Sequence, residues 1–375
     1  MKLPIISKIF KRDSEYYNVI DLGSSRIKVA VCKPKTDVKP LEVLGIGIKP
    51  VPNNSMYGGQ ILNLDTIIDT LDLALEEVTL KSSITAKKTI IGLSGGVVHT
   101  KSYRVRIKRE NKDVGLNSKE FEKLAKEVEE KTLTKATEDF SKEGYTTYIR
   151  IESVFTGYMV DGAKVITPID LPGSEIEITV LHYFMDEARI RSINSLLDQL
   201  NLEAISVVDT STAVALALNE TYGDYVFIDI GGSVTQVVVI ERNKVMATGS
   251  IFIGGVDISI KIADKFQVTL EQAENMKLQY TQGHLDQNRS FTLHQEVEKV
   301  TEILVSAIAD FLQGVKANYL PSNMVIGGEV RHLTEVKSAF ATYPWMKEGK
   351  FNTFPKVEIL SGQDPVFDNL TKTQL

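Results

Sequence analysis

The sequence predicts an α/β protein built from two like domains that face each other. Residues 225–241, YVFIDIGGSVTQVVVIE, lead β-favouring residues into Asp229, turn at Gly231-Gly232-Ser233 and come back through a second β-branched run. That is the pattern of a β-hairpin with a carboxylate at the entrance to its turn. Residues 17–32, YNVIDLGSSRIKVAVC, repeat it 208 positions earlier, placing Asp21 on Asp229, Gly23 on Gly231, Ser25 on Ser233, Val29 on Val237 and Val31 on Val239. Glycine lets backbone approach a ligand closely, and successive N–H groups in such a turn cradle an anion. Two such turns point to a nucleotide whose phosphates lie between two domains.

The chain has no G-x-x-x-x-G-K-[ST] and no G-x-G-x-x-G opening a helix, which excludes P-loop and Rossmann designs. What remains is the actin-like ATPase arrangement, in which paired hairpins hold the β- and γ-phosphates. Its 375 residues suffice for two domains with separate cores. Hydrophobic and charged contents of 43% and 25% are those of an ordinary globular protein. The net charge of −6 argues against nucleic acid as a partner. A single cysteine, Cys32, excludes a disulfide framework and fits a reducing cytoplasm. Five scattered histidines give no zinc pattern, and no apolar run reaches the length of a membrane span. Residues 1–12, MKLPIISKIFKR, lack the features of a signal peptide. They are read either as a basic amphipathic segment for an anionic membrane surface or as a tail or strand of the first domain.

After the first hairpin a strand is expected over residues 41–49, then a Pro-, Asn- and Gly-rich loop over 50–60. A helix over 65–79 places Ile67, Ile68, Leu71 and Leu75 on one face, and a strand over 89–93 ends at Ser94-Gly95-Gly96. Residues 98–184 change character and read as an α+β insertion. A half-exposed strand at 103–108 is followed by a charged helix that Asn117 and Glu120 open as a capping box, with Phe121, Leu124 and Val128 inward. Two strands, 148–158 and 175–183, complete it. Asp186 caps the next helix, and a strand over 204–208 runs into Asp209-Thr210-Ser211-Thr212 and a helix whose N-terminal dipole faces the cleft. Asp209 is read as the group that orients an attacking or metal-bound water, or equally as a cap. After the second hairpin come helices near 256–266 and from Thr269, the latter carrying Glu274 and Lys277 three apart. A long amphipathic helix with Val297, Val300, Leu304, Ile308, Phe311 and Val315 precedes a strand that ends at Gly327-Gly328, where backbone can pass close to a purine or ribose.

With these pieces in order, the chain resembles the bacterial cell-division protein FtsA, an actin homologue, from about residue 17 through 331. The similar stretches are VIDLGSSRIKVAV, LEVLGIGIKPVPNNSMYGGQI, IIGLSGG, YMVDGAKVITPIDLPGSEIEITVLHYF, FIDIGGSVTQVVVI, QAENMKLQYTQG and VIGG. The YMVDG…DLPG…EI region is the most specific. It looks like the end of the inserted SHS2-type subdomain, called 1C, that separates FtsA from Hsp70, actin and sugar kinases. The pilus-assembly protein PilM shares the architecture with a less similar insertion.

The resemblance implies an α/β, actin-like two-domain ATPase fold. Residues 16–97 and 185–222 would form domain I (1A), with 98–184 as the inserted interaction subdomain. Residues 223–265 and 320–375 would form domain II (2A), 266–319 subdomain 2B, and 1–15 a tail. Asp21, Gly23, Ser24 and Ser25 match the first phosphate motif, and Gly231, Gly232 and Ser233 the second. Glu274 and Lys277 match nucleoside contacts, and Gly327 and Gly328 the adenosine motif. The cofactors implied are ATP and Mg²⁺, the metal held by Asp21 and, through water, by Asp229.

Departures bear on activity. Gln236 stands where the second motif commonly carries an acidic residue and Ser233 replaces a glycine, which implies weak or absent ATPase activity. The chain also ends in FDNLTKTQL where FtsA continues to a C-terminal amphipathic helix, which moves the expected membrane contact to residues 1–12 or to a partner. The implied protein lies at the cytoplasmic face of the inner membrane, polymerises with itself and links FtsZ or another filament protein to inner-membrane division proteins. A PilM-like scaffold of pilus or secretion assembly is the alternative, and a sugar or acetate kinase a third reading.

Overall fold

The computed structural model describes residues 16–33, 42–93, 96–144, 147–348 and 350–361. The expected tail contact at residues 1–12, Ser94 and Gly95 of the IIGLSGG stretch, and the FDNLTKTQL end lie outside them.

Strands β1 (Tyr17–Leu22), β2 (Arg26–Lys33) and β3 (Glu42–Pro50) form an antiparallel meander. In β2 the side chains of Ile27, Val29 and Val31 turn into the core while Arg26 and Lys28 turn out, as a period of two requires. The expected loop at 50–60 instead contains most of a short hairpin, β4 (Met56–Tyr57) and β5 (Gln60–Ile61), reversing through Gly58-Gly59. Helix α1 (Leu64–Ser82) starts at Asn63, whose side chain accepts the Thr66 N–H, and buries Ile67, Leu71, Ala74 and Val78. β6 (Lys88–Leu93) then pairs parallel with β1.

The chain next builds a separate unit from β7 (Val98–Lys108), α2 (Ser118–Lys142), β8 (Tyr148–Val160), β9 (Ala163–Val165) and β10 (Glu175–Asp186). Its strands form an antiparallel sheet of order β7-β10-β8-β9. Leu116, Phe121, Val128, Tyr158, Ile176, Ile178 and Val180 give it a core of its own. The short β9 is absent from the sequence reading. The YMVDG…DLPGSEI signature has a structural role here. Asp161 accepts the Ser174 N–H at 3.0 Å, the Ser174 hydroxyl at 2.7 Å and the Glu175 N–H at 2.9 Å, tying the turn after β8 to the start of β10. These bonds hold the exposed Asp161 carboxyl below the usual range. Buried His182 of β10 bridges the layers, with Thr132 of α2 on one ring nitrogen and Ser153 of β8 on the other, both at 2.8 Å.

Helix α3 (Glu187–Gln199), capped by Asp186, leads to β11 (Glu203–Asp209), which pairs parallel with β6 and completes a first five-stranded sheet of order β11-β6-β1-β2-β3. Glu152 of β8 accepts the Ser206 hydroxyl at 2.7 Å and the Val207 N–H at 3.2 Å, fastening the inserted sheet to this edge strand. After α4 (Thr210–Tyr222) the pattern recurs. β12 (Tyr225–Ile230), β13 (Thr235–Glu241) and β14 (Lys244–Ile251) form a meander, followed by helices α5 (Gly255–Phe266), α6 (Leu270–Thr281) and α7 (Gln287–Gly314). Then come β15 (Asn323–Gly327), a 3-10 turn over Glu329–His332, α8 (Thr334–Thr342), α9 (Trp345–Glu348) and β16 (Lys356–Ile359). The second sheet has order β14-β13-β12-β15-β16, with the same two antiparallel and two parallel pairings. One topology used twice, with an α+β unit inserted into the first copy, is the actin-like two-domain architecture.

Burial holds the His182 imidazole down at about 4, from an ordinary value of 6.5, with the nearby Arg150 adding to the effect. The folded chain therefore binds fewer protons than the unfolded one between these values. Its stability is fully present above pH 6.5 and declines as pH falls toward 4. In urea unfolding the parent should lose up to about 3 kcal/mol more than His182→Gln across that window, a difference between the two proteins that other titrating groups leave unchanged.

Candidate functional site

The site forms where the two central hairpins reverse. A Cβ placed on Gly23 would sit 2.7 Å from the Arg26 carbonyl oxygen, and one on Gly231 would sit 2.8 Å from that of Val234. The same glycine-dependent turn is thus built twice. The tips touch each other. The Ser233 N–H donates to Ser24 Oγ at 3.1 Å, and a Cβ on Gly232 would lie 2.7 Å from that hydroxyl and 3.2 Å from the Ser25 nitrogen. Ser233 Oγ accepts the Gly58 N–H at 3.0 Å, which gives the β4–β5 hairpin its place. In this closed conformation the tips leave no space for a phosphate between them.

Three carboxylates stand behind the turns. Asp21 and Asp229 occupy equivalent places in β1 and β12, opposite Lys28 and Gln236 respectively. Lys28 Nζ lies 3.1 Å from Asp21. The third carboxylate, Asp209, ends β11 and is buried. Successive hydroxyls at the start of α4 each serve a different one: Thr210 donates to Asp21 at 3.3 Å, Ser211 to Asp229 at 2.7 Å, and Thr212 to Asp209. Asp209 is the residue before the helix, and its Oδ2 accepts the Thr212 hydroxyl. Burial pushes its carboxyl up to about 6, with the charge of Asp229 adding and Thr212 and Gln236 opposing. Burial also raises Asp229, as does the negative Asp21, against the hydroxyl of Ser211 and the positive Lys28 and Arg331. Asp209 Oδ1 and Gln236 Oε1 are buried acceptors without a hydrogen-bond donor.

The remaining expected residues lie around the second hairpin. β15 ends beside Asp229, paired with Gly327, and a Cβ on Gly328 would come within 2.1 Å of the Ile230 carbonyl oxygen. The first N–H groups of α5, from Gly255 and Val256, donate to the carbonyls of Gly231 and Gly232 at 3.0 and 2.7 Å. Lys277 reaches the same helix start, donating to the Gly255 carbonyl at 2.8 Å, Ser259 at 2.7 Å and Glu274 at 2.8 Å. Ser259 in turn donates to Glu274 at 2.6 Å. The Glu274–Lys277 pair thus ties α6 to α5 next to the turn at Gly231. Lys28, Thr210, Ser211 and Thr212 were not singled out from the sequence as site residues. A surface depression of about 530 Å³ beside Asn18, Leu75, Val78 and Leu202 sits at the opposite end of β1 and shares no residue with this site.

Asp209, Asp229 and Gly327 follow the carboxyl ends of parallel strands, where open α/β sheets place their ligands. Backbone turns, one lysine and unpaired buried acceptors are the donor and acceptor set that phosphates and a hydrated cation need. Among the described residues no three His, Cys, Asp or Glu side chains converge to ligate an ion unaided. A magnesium ion, which retains several waters, fits this arrangement.

Comparison with known proteins agrees with the resemblance. The family model "Cell division protein FtsA" matches residues 226–313, which hold the second hairpin, Glu274 and Lys277. Cell division protein FtsA of Bacillus subtilis is 22% identical over 332 residues, covering 87% of this chain and 69% of that protein. The chain is thus similar to FtsA proteins over most of its length. FtsA of Agrobacterium fabrum is 21% identical over 289 residues, and there the match spans 74% of this chain and 62% of its length. Among solved structures, the PilM-PilN type IV pilus biogenesis complex aligns over 96% of this chain and 99% of that one, at a TM-score of 0.59 and 13% identity. The ethanolamine utilization protein EutJ from Carboxydothermus hydrogenoformans aligns over 94% and 88%, at 0.51 and 14%. These two share the fold of this chain.

Because Asp209 takes up its proton more readily folded than unfolded, its contribution to stability falls as pH rises from about 4 to 6 and stays low above. Asp209→Asn should therefore stabilise the chain at pH 7, by up to about 3 kcal/mol, and should leave it unchanged at pH 4. Equal denaturant midpoints for variant and parent at pH 7 would contradict this electrostatic account.

Proposed function

We propose that this chain is an ATP-binding, actin-like protein of cell division that polymerises and links FtsZ-type filaments to the inner membrane at its cytoplasmic face. The observation that carries the reading is the doubled hairpin with its three carboxylates, in a chain similar to FtsA. The backbone N–H groups around Gly23, Ser24, Ser25, Gly231, Gly232 and Ser233, with Lys28, would hold phosphates once the tips part. Gly327 and Gly328 would pass close to the adenosine, with Glu274 and Lys277 beside the nucleoside. Asp21 and Asp229 would hold Mg²⁺, Asp229 through water. When bound, the metal would neutralise part of the phosphate charge. Asp209 and Gln236 would position a water. An amide at 236 cannot take a proton from that water, which supports slow turnover.

A second reading, a PilM-like scaffold, is favoured by the near-complete overlap with the PilM-PilN structure. It would bind a short membrane-protein tail instead of a filament. Among the described residues no helix is long and apolar enough to cross a membrane. Contact with an anionic leaflet is proposed through residues 1–12, whose four basic residues would contribute about 1 kcal/mol each.

Co-sedimentation with FtsZ filaments should be strengthened by MgATP. Absence of co-sedimentation, with tight binding of a membrane-protein tail, would select the scaffold reading. Lys28→Ala should weaken MgATP binding by about ten- to a hundredfold, the cost of one charge-assisted hydrogen bond. Gly231→Val should abolish binding with the circular dichroism spectrum retained. Turnover should stay below about 1 per second; tens per second would favour a kinase-like enzyme. The full chain should float with anionic vesicles in a salt-sensitive way, and a form starting at Ser14 should not.

A further inference from the structure

The mouth between the halves is spanned by an ion pair that belongs to neither phosphate motif. Arg26 is the first residue of β2, immediately after the first turn. Glu329 is the first residue after Gly328, at the opposite side of the opening. Arg26 Nε and Glu329 Oε1 are 3.1 Å apart, each side chain 51% exposed. The place of Arg26 in the second hairpin is taken by Val234, so this cation is not part of the repeated design. The loop that offers Glu329 is itself fixed, because Arg331 donates to the Gly328 carbonyl at 2.5 Å and to the Leu360 carbonyl at 3.1 Å. Two neutral contacts act in the same sense, Ser233 N–H to Ser24 Oγ and Gly58 N–H to Ser233 Oγ.

We propose that Arg26 and Glu329 form the latch that gates nucleotide entry and release. The proposal rests on the nucleotide-binding reading above. The two residues lie on opposite halves, so a ligand that parts the hairpin tips draws them apart. An incoming polyphosphate also offers Arg26 a competing anion, which lets the latch open as the ligand enters. The pair is half-exposed and screened by solvent, so its effect is modest. Exposed pairs of this kind correspond to about a two- to fivefold change in an equilibrium or rate.

The test uses the full chain. Displacement of a fluorescent ADP by excess ADP is followed for the parent, for Glu329→Gln, for Arg26→Gln and for the exchanged pair Arg26→Glu with Glu329→Arg. Each neutralised variant should release ADP two- to fivefold faster, and the exchanged pair should return to the parent rate. The difference should shrink in 0.5 M salt. Spin labels at Asn53→Cys and Lys337→Cys report the opening directly without nucleotide. Cys32 is buried and stays unlabelled. The neutralised variants should broaden that distance distribution and the exchanged pair should narrow it again. If the parent binds no nucleotide, the nucleotide reading fails, and the label distances alone decide whether the pair holds the halves together. Unchanged distances and release in both neutralised variants, or an exchanged pair that behaves like them, would overturn the latch.

Discussion

The contact between the two hairpin tips sets the relation between the halves of the molecule. Each tip depends on a glycine whose missing Cβ leaves room for a carbonyl three residues on, so neither turn tolerates a side chain without moving. β1 and β12 are the middle strands of their sheets, each bonded to a hairpin partner on one side and to a parallel strand on the other. A shift in either turn is therefore passed to five strands. Around that contact the structure adds weaker ties of different character: a backbone N–H from the β4–β5 hairpin, the Thr100–Thr248 hydroxyl pair, and the ion pair at the mouth. None is strong alone, because neutral hydrogen bonds contribute about 1 kcal/mol each and exposed ion pairs less. Away from the tips the halves also share buried apolar packing, with Tyr225, Phe227, Val238 and Ile240 in one cluster with Ala215 and Leu218.

The carboxylates behind the tips work against the closed state. Asp209 and Asp229 are both raised by burial, and each is raised further by a neighbouring carboxylate. Three hydroxyls from one helix turn distribute a single donor to each, which satisfies part of the demand and leaves Asp209 Oδ1 without a donor. Orphaned buried acceptors cost stability. Lys28 pairs directly with Asp21 and, with Arg331, offsets only part of the charge at Asp229. The site is thus an electrostatic arrangement with an unmet requirement for positive charge.

The two hairpins were legible because their pattern has period two, runs long enough to count and occurs twice. The amphipathic helices were legible from capping residues, as Asn117 and Thr269 show by accepting N–H groups three residues on. What escaped depends on pairing across the sheet or on distance along the chain. Lys28 reads as an outward residue of an ordinary strand until the register sets it opposite Asp21. Thr210, Ser211 and Thr212 read as helix-start residues, whereas their hydroxyls serve carboxylates from three different strands. The hydrogen bonds that Glu274 and Lys277 make to Ser259 and the Gly255 carbonyl escaped, since those groups lie on another helix. β4, β5 and β9 are too short to show a period, and the Pro-, Asn- and Gly-rich stretch around the first two has the composition of a loop.

The insertion is mechanically joined to the site. It leaves the first sheet after β6, the parallel neighbour of β1, and returns through α3 to β11, the edge strand beyond β6. Glu152, on the central part of its sheet, grips Ser206 and Val207 of β11, and Asp209 lies two residues beyond Val207 on that strand. A strand is a stiff connection over so short a span. Displacement of the inserted sheet relative to the first would have to stretch the Glu152 bonds or carry β11 with it. In the second case Asp209 moves against Thr212 and Gln236, the groups that moderate its charge. A carboxylate raised by burial is therefore also one whose surroundings depend on where the insertion sits.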